Sequence, residues 1–397
     1  MSDGYRNAAA AQPITAGAAS LYPRGVILSN ARLITPDGIR SGWLDIRDER
    51  IAGRGDEQAP GLDLDGRYVA PGFVDMHVHG GGGASFADDP LGALNFHRAH
   101  GTTTTLASLV TAPLEALIEQ VASLRPLVES GELAGIHLEG PFLAQARCGA
   151  HDPALLRPPE PDAVAALLAA GRGAVRMVTV APELPGAAEA IRRIVDAGAV
   201  AAIGHTDADF EAACAGLAAG ASVGTHLFNA MRPLHHREPG VITALLDSDA
   251  VLEVIADNVH VHPALYSWIA RRAAPQRVAL ITDAMPAVGL GDGEYLLGAR
   301  AVQVRDGVAR LAGGGSIAGS TLTQDAALRN AVAAGVPLAD AVSALTAVPA
   351  RALGLDAGSL DAGRVADLVV LSEDLKVEAV MARGEWVGSG LGLGDLR

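Results

Sequence analysis

Residues 175–229 read VRMVTVAPELPGAAEAIRRIVDAGAVAAIGHTDADFEAACAGLAAGASVGTHLFN. Three strand-like runs, VRMVTVAPE, VAAIGHT and SVGTHLFN, alternate here with two alanine-rich segments that are typical of helices. Strand–helix alternation of this kind predicts parallel βαβ units.

The same alternation extends from about residue 70 to about residue 355 and contains eight candidate strands. The other five are FVDMHVH (73–79), TTTTLASLV (102–110), GIHLEGP (135–141), LEVIADNVH (252–260) and RVALITDAM (277–285). Eight repeats in about 285 residues match the size of a (β/α)8 TIM-like barrel. A doubly wound sheet is disfavoured, because no glycine fingerprint follows the first strand.

Both ends of the chain have a different, β-like character, seen in GVILSNARLIT (25–35) and VADLVVLSED (365–374). Because domain termini tend to lie close together, these segments are expected to pair. We therefore predict a small β-sandwich domain from residues 25–69 and 356–397, with the barrel of residues 70–355 inserted into it. Residues 1–24 are expected to form a disordered leader. Asp292 and Glu294 are expected in a loop after the last barrel strand.

Composition excludes several classes of function. The 397 residues carry a formal net charge of −15, which argues against an extended nucleic-acid-binding face or a membrane-surface helix. No apolar run reaches the length of about 20 residues that a membrane span needs. Cys148 and Cys214 are too few for a disulfide framework, so a reducing, cytoplasmic setting is expected.

Ionisable residues occupy the carboxyl ends of most candidate strands. They are His77, His79, Glu139, His205, His226, Asp257, His260 and Asp283. The active sites of such barrels are built at that face by residues from several strands. The pattern therefore predicts a metal or acid–base site at the barrel mouth.

The residue types suit a divalent metal. His77 and His79 are two positions apart and so face the same side of a strand. Glu139, His205 and His226 add one carboxylate and two imidazoles, a set suited to Zn²⁺ or Fe²⁺.

Two more residues complete this interpretation. Asp283 ends the last strand and is placed to accept a proton from a water molecule in the site. His137 shares the parity of Glu139, but we interpret it as a hydrogen-bonded interior histidine.

Competing chemistries lack their motifs. Ser316 is not flanked by the G-x-S-x-G elbow of a serine hydrolase. Lys376 is the only lysine and lies in the carboxyl-terminal β segment, so a P-loop is excluded.

Several motifs occur in a familiar order: HVH (77–79), HLEGPF (137–142), GHT (204–206), THLFNAM (225–231), REPG (237–240) and ITDAM (281–285). Together they resemble the amidohydrolase superfamily and, within it, the family that deacetylates N-acetylglucosamine 6-phosphate. The resemblance implies a metal-dependent hydrolase that releases acetate from this sugar phosphate. It implies that Glu139, His205 and His226 are the primary metal ligands and that Asp283 is the catalytic aspartate. With His77 and His79 both present, it allows a second ion.

The resemblance also implies how substrate is held. His151 corresponds to a histidine that contacts the substrate near its N-acetyl group. Asn229 and Ala230 match the segment that meets the sugar phosphate, and Arg237 and His260 match its cationic phosphate contacts. In the family such a contact comes from the neighbouring subunit in some cases, which implies a homodimer.

Three alternatives remain open from the sequence. The substrate could be the galacto epimer, N-acetylgalactosamine 6-phosphate, or another N-acyl compound such as an N-acyl amino acid. The third alternative is a barrel that binds sugar phosphates without catalysing a reaction. The metal could be zinc, iron, manganese or cobalt, and one or two ions could bind.

Overall fold

A computed structural model describes residues 25–57, 59–313 and 315–388. Its centre is an eight-stranded parallel sheet in which each strand pairs with the next along the chain. The strands are Phe73–Asp75, Thr102–Val110, Gly135–Glu139, Val175–Val180, Val200–Ile203, Val223–Gly224, Val251–Ile255 and Val278–Ile281. All eight were predicted, and the TIM-like barrel is confirmed.

Backbone hydrogen bonds beyond the regular strands join the first repeat to the last. The amide of Asp283 donates to the carbonyl oxygen of His77 (2.9 Å), and the amide of His79 donates to that of Ala284 (2.9 Å). The sheet is therefore nearly closed at the carboxyl ends of its strands, where the predicted site lies.

Helices cover the outside of the barrel. They are Pro90–Ala99, Leu114–Glu129, Pro161–Gly171, Ala187–Asp196, Phe210–Ala218, Gly240–Leu246, Pro263–Trp268, Gln324–Ala333, Leu338–Leu345 and Ala347–Ala352. Asp89 and Asp209 begin two of them by accepting hydrogen bonds from the amides of Gly92 (3.0 Å) and Ala212 (2.8 Å). These caps satisfy amides that have no partner inside the helix. None of the helices in the described part of the chain has the length and apolar character to cross a membrane.

Strands from both ends of the chain form a second eight-stranded sheet. Its members are Gly25–Thr35, Gly38–Arg47, Arg50–Gly55, Leu62–Asp63, Tyr68–Pro71, Leu368–Leu371, Val377–Ala382 and Glu385–Trp386. The strand Leu368–Leu371 pairs antiparallel with Tyr68–Pro71, so the two chain ends meet as expected. The exact domain boundaries stay a prediction, and the leader expected over residues 1–24 lies outside the described residues.

The expected loop is wrong for Glu294, whereas Asp292 lies outside the strands, as expected. Glu294 lies in the first strand of a three-stranded antiparallel sheet formed by Gly293–Leu297, Arg300–Arg305 and Val308–Leu311. Asp292 precedes it and accepts hydrogen bonds from the amides of Asp306 (2.9 Å) and Gly307 (3.1 Å). The alternation of buried and exposed residues in the middle strand is the physical reason, because one face covers a small apolar core.

Candidate active site

The barrel brings the predicted ligands together at its mouth. The five predicted ligands and the predicted catalytic aspartate are buried within one cluster: His77, His79, Glu139, His205, His226 and Asp283. His77 and His79 follow the first barrel strand, and the other four each end or follow a different strand, so the proximity of the six depends on the closed barrel rather than on local sequence.

Glu139 is the centre of the cluster. Its Oε1 lies 3.0 Å from Nε2 of His205 and 3.0 Å from Nε2 of His226. Its Oε2 lies 3.1 Å from Nε2 of His79, which is itself 3.1 Å from Oδ1 of Asp283. One carboxylate thus touches both halves of the cluster.

Hydrogen bonds outside the cluster decide which imidazole nitrogens carry protons. Nδ1 of His205 donates to the carbonyl oxygen of Arg147 (2.9 Å), and Nδ1 of His79 donates to that of Ser108 (3.2 Å). With Nδ1 engaged in this way, Nε2 of each ring faces the cluster and is the nitrogen that would bind a metal.

Glu253 orients His77 in the same way, and the sequence did not predict this residue. The Glu253 side chain is fully buried, and its Oε2 accepts hydrogen bonds from Nδ1 of His77 (3.0 Å) and from the amide of His226 (3.1 Å). A signal was available, because a glutamate in the middle of the apolar run VLEVI requires a buried partner.

The backbone at the strand ends is strained. His205, His226 and Asp283 have φ values of 47°, 26° and 49°, in the left-handed region that residues other than glycine rarely adopt. Such conformations cost about 1–3 kcal/mol each and persist only where surrounding structure enforces them. Here they follow the points at which the chain leaves the sheet and turn the side chains into the mouth.

Burial and charge act against each other in the cluster. Burial lowers the pKa of His79, but Asp283 and Glu139 outweigh it and raise that pKa to about 9. Burial also lowers the pKa of His77, which Glu139, Glu253 and Asp283 together raise well above its usual range. These carboxylates therefore create a field that favours cations.

The donor set fits a divalent metal. Nε2 of His205 and Nε2 of His226 lie 3.0 Å apart, and both are 3.0 Å from Oε1 of Glu139, so the two nitrogens need a proton or a cation between them. One group of donor atoms close enough to share an ion is His77, His79, Glu139 and Asp283, and a second is Glu139, His151 and His205. This mixture of imidazole and carboxylate suits zinc or iron.

His151 belongs to the site but is not suited to hold a metal. Its Nδ1 accepts hydrogen bonds from the amide (3.3 Å) and the hydroxyl (2.9 Å) of Thr111. Nε2 therefore carries the proton and faces Oε2 of Glu139 at 3.3 Å. This nitrogen is a hydrogen-bond donor within the site.

A cavity of about 360 Å³ opens beside the cluster. His151, Asn229, Ala230 and His260 line it, as do Asp283 and four of the other cluster residues. Nδ1 of His260 donates to Oδ2 of Asp257 (2.6 Å), another residue that the sequence placed at a strand end. Arg237 is exposed and contacts His236, and it does not line the cavity of its own chain.

His137 is the interior histidine that the sequence predicted. It is fully buried, with Nδ1 2.9 Å from Oγ of Ser108 and Nε2 2.9 Å from Oγ1 of Thr179. Both ring nitrogens are therefore satisfied by hydroxyl groups. Burial lowers its pKa well below the usual range, which keeps the ring neutral.

Fold and site together fit a class of barrel hydrolases, with a buried imidazole–carboxylate cluster that suits a divalent metal. The chain belongs to the amidohydrolase family, whose model matches residues 68–387. This confirms the family resemblance read from the motifs.

Individual relatives show which members of the family the chain resembles. N-acetyl-D-glucosamine-6-phosphate deacetylase from Mycobacterium smegmatis, solved as a mutant in complex with N-acetyl-D-glucosamine 6-phosphate, is 48% identical. The structural match has a TM-score of 0.90 and covers 92% of this chain and 100% of that relative's chain. N-acetylgalactosamine-6-phosphate deacetylase from Escherichia coli O157:H7 is 39% identical over 90% of this chain and 98% of its own length. N-acetylglucosamine-6-phosphate deacetylase from Bos taurus is 40% identical over 87% of this chain and 88% of its own length.

Proposed function

We propose that this protein hydrolyses the N-acetyl amide of N-acetyl-D-glucosamine 6-phosphate, giving D-glucosamine 6-phosphate and acetate. The observation that carries the proposal is the buried cluster around Glu139 at the wall of a cavity that Asn229, Ala230 and His260 also line. The 48% identical relative from Mycobacterium smegmatis, solved with this sugar phosphate, supports the choice of substrate.

Glu139, His205 and His226 are proposed to hold a divalent ion, most suitably Zn²⁺ or Fe²⁺. His77 and His79, with Asp283 nearby, offer a position for a second ion that Glu139 would share. When bound, such an ion would polarise the amide carbonyl and lower the pKa of a bound water, to about 7 on zinc. The chain's part is to orient these donors through the Arg147, Ser108 and Glu253 acceptors.

Asp283 is proposed as the group that moves the proton. Burial raises its pKa, but His77 and His79 outweigh that effect and lower it, so the carboxylate is ready to accept a proton. Asp283 would take the proton from the attacking water and return it to the nitrogen as the C–N bond breaks. Nε2–H of His151 would donate to the carbonyl oxygen as negative charge develops there.

The phosphate end is proposed to lie along Asn229, Ala230 and His260. Arg237 is exposed and outside the cavity of its own chain, so we propose that it reaches the phosphate in a homodimer, from the second copy. Sedimentation velocity should then show a dimer, and Arg237→Ala should raise KM for the phosphorylated sugar. An equal rise for the unphosphorylated sugar would contradict a phosphate contact.

The galacto epimer is the second candidate substrate, because the relative from Escherichia coli O157:H7 is named for it. We propose a cytoplasmic location, which agrees with two cysteines that form no disulfide. The deciding experiment measures acetate release by metal-loaded protein from N-acetylglucosamine 6-phosphate, its unphosphorylated sugar and its galacto epimer. A clear preference for the first compound is expected. Faster turnover of the galacto epimer would replace the proposed substrate, and similar rates without phosphate would overturn the phosphate contacts.

A further inference from the structure

A second, larger cavity of about 830 Å³ adjoins the first. It is built by the loops that follow the first two barrel strands and by the inserted three-stranded sheet. Much of its lining is apolar and includes Ala84, Ala87, Ala112, Pro113, Pro286 and Leu296.

Two exposed carboxylates, Asp88 and Asp89, also line this cavity. Asp88 accepts a hydrogen bond from the hydroxyl of Ser85 (2.6 Å), and Asp89 accepts one from the amide of Gly92 (3.0 Å). A hydrogen bond leaves each carboxylate charged, so the surface available to an uncharged acyl chain is the apolar part of the lining.

The two cavities share a wall at the reacting centre. His79 and Thr111 line both, and the other shared residues are apolar: Val110, Leu155, Leu297 and Ala299. A group that leaves the metal cluster in this direction enters an apolar space many times larger than the roughly 30 Å³ that one water occupies.

The order of strands around the barrel gives the cavity its place relative to the substrate. Asn229 follows the sixth strand and His260 the seventh, whereas Val110 and Ala112 end or follow the second. In a closed eight-stranded barrel the second and sixth strands lie on opposite sides of the axis. An amide whose sugar phosphate lies along Asn229 and His260 thus directs its acyl end across the cluster, toward the second cavity.

We propose that the second cavity is an acyl-binding site, so that N-acyl glucosamine 6-phosphates with acyl chains longer than acetyl are also substrates. This rests on the proposed function and extends its substrate class to N-propionyl and N-butyryl compounds. The reaction is the same at every chain length. Water adds to the acyl carbonyl, the C–N bond breaks, the amine takes the proton, and the fatty acid leaves as its carboxylate.

The test compares kcat/KM for the N-acetyl, N-propionyl and N-butyryl compounds. Wild type is expected to keep the longer substrates within about tenfold of the acetyl compound, whereas a pocket closed behind the methyl group would discriminate by about 10–200-fold for each methylene. Ala112→Leu and Ala87→Leu narrow the cavity and should lower the butyryl-to-acetyl ratio by about tenfold or more. Ala301→Leu, an exposed alanine of the inserted sheet that lines neither cavity, is the matched control and should leave the ratio unchanged.

Failure of the acyl-site proposal and failure of the proposed function would give different results. Hydrolysis of the acetyl compound with at least hundredfold loss for butyryl would overturn the acyl site and leave the proposed function standing. A ratio that Ala112→Leu and Ala301→Leu change equally would also overturn it. No hydrolysis of the acetyl compound by metal-loaded protein would contradict the proposed function, and the acyl site with it.

Discussion

Glu253 links two histidines of the candidate metal site through a single oxygen. Its Oε2 accepts from Nδ1 of His77 and from the backbone amide of His226, so it fixes both a ring and a main-chain position. A buried carboxylate behind a ligating imidazole sets the tautomer and raises the basicity of the ring. His77 presents Nε2 to the cluster because Glu253 holds its other nitrogen.

Replacing Glu253 should therefore weaken metal binding. Glu253→Leu, of similar size, removes the acceptor and is expected to lower affinity by about 10–100-fold. Glu253→Gln keeps a carbonyl acceptor and should lose less. Metal content after dialysis and calorimetric titration with Zn²⁺ measure this without reference to activity. Equal affinity in wild type and Glu253→Leu would show that His77 needs no such partner.

Substitution of Asp283 can separate metal binding from catalysis. Asp283→Asn keeps the size of the side chain but cannot take the proton, so kcat should fall by about 10²–10⁴-fold while metal content stays near wild type. His226→Ala serves as the contrast and should lose metal. Parallel loss of metal and turnover in Asp283→Asn would make Asp283 a ligand instead.

At the scale of elements, the strands and the ligands that end them were readable because both follow the barrel repeat. The extent of the strands was not readable. The run 222–229 is regular only over Val223–Gly224, and 73–79 only over Phe73–Asp75. Beyond these points the chain turns to place His226 and His79, a geometry that depends on contacts with distant strands. Hydrophobic pattern carries no information on such contacts.

The helix Gln324–Ala333 offers a test of stability against pH. Asp325 in its first turn contacts Nδ1 of His100 (3.1 Å) and Arg329 (2.8 Å). Burial raises the pKa of Asp325, but His100, Thr323 and Arg329 outweigh it and lower the pKa well below its usual value. The charged form is thus the one that the fold stabilises.

The sign of the effect follows from that lowered pKa. The contribution of Asp325 is complete above its unfolded pKa of about 3.9 and is lost as pH falls from there toward the folded pKa. Asp325→Asn should lower the unfolding temperature at pH 7, by an amount equivalent to about 1–3 kcal/mol, and the gap to wild type should shrink below pH 4. A gap that is constant from pH 7 to pH 3 would contradict the ionic contribution.

At the scale of the whole molecule, the sequence predicted that the chain ends meet but not that they share residues with the barrel. Within the strand Leu368–Leu371, Leu368 and Val370 pack in the core of the terminal sheet. Val369 and Leu371 pack in the core of the barrel. Alternation in a strand sends neighbours to opposite faces, but a uniformly apolar run such as LVVL does not show what each face meets.

This shared strand predicts that sheet and barrel unfold together. Leu368→Ala opens space in the core of the sheet, and Leu371→Ala does so in the core of the barrel; both side chains are fully buried. Each change should cost about 2–5 kcal/mol. Because one strand serves both cores, calorimetry should show a single transition that both substitutions move to lower temperature. Independent units would instead give two transitions, with Leu368→Ala moving one and Leu371→Ala the other.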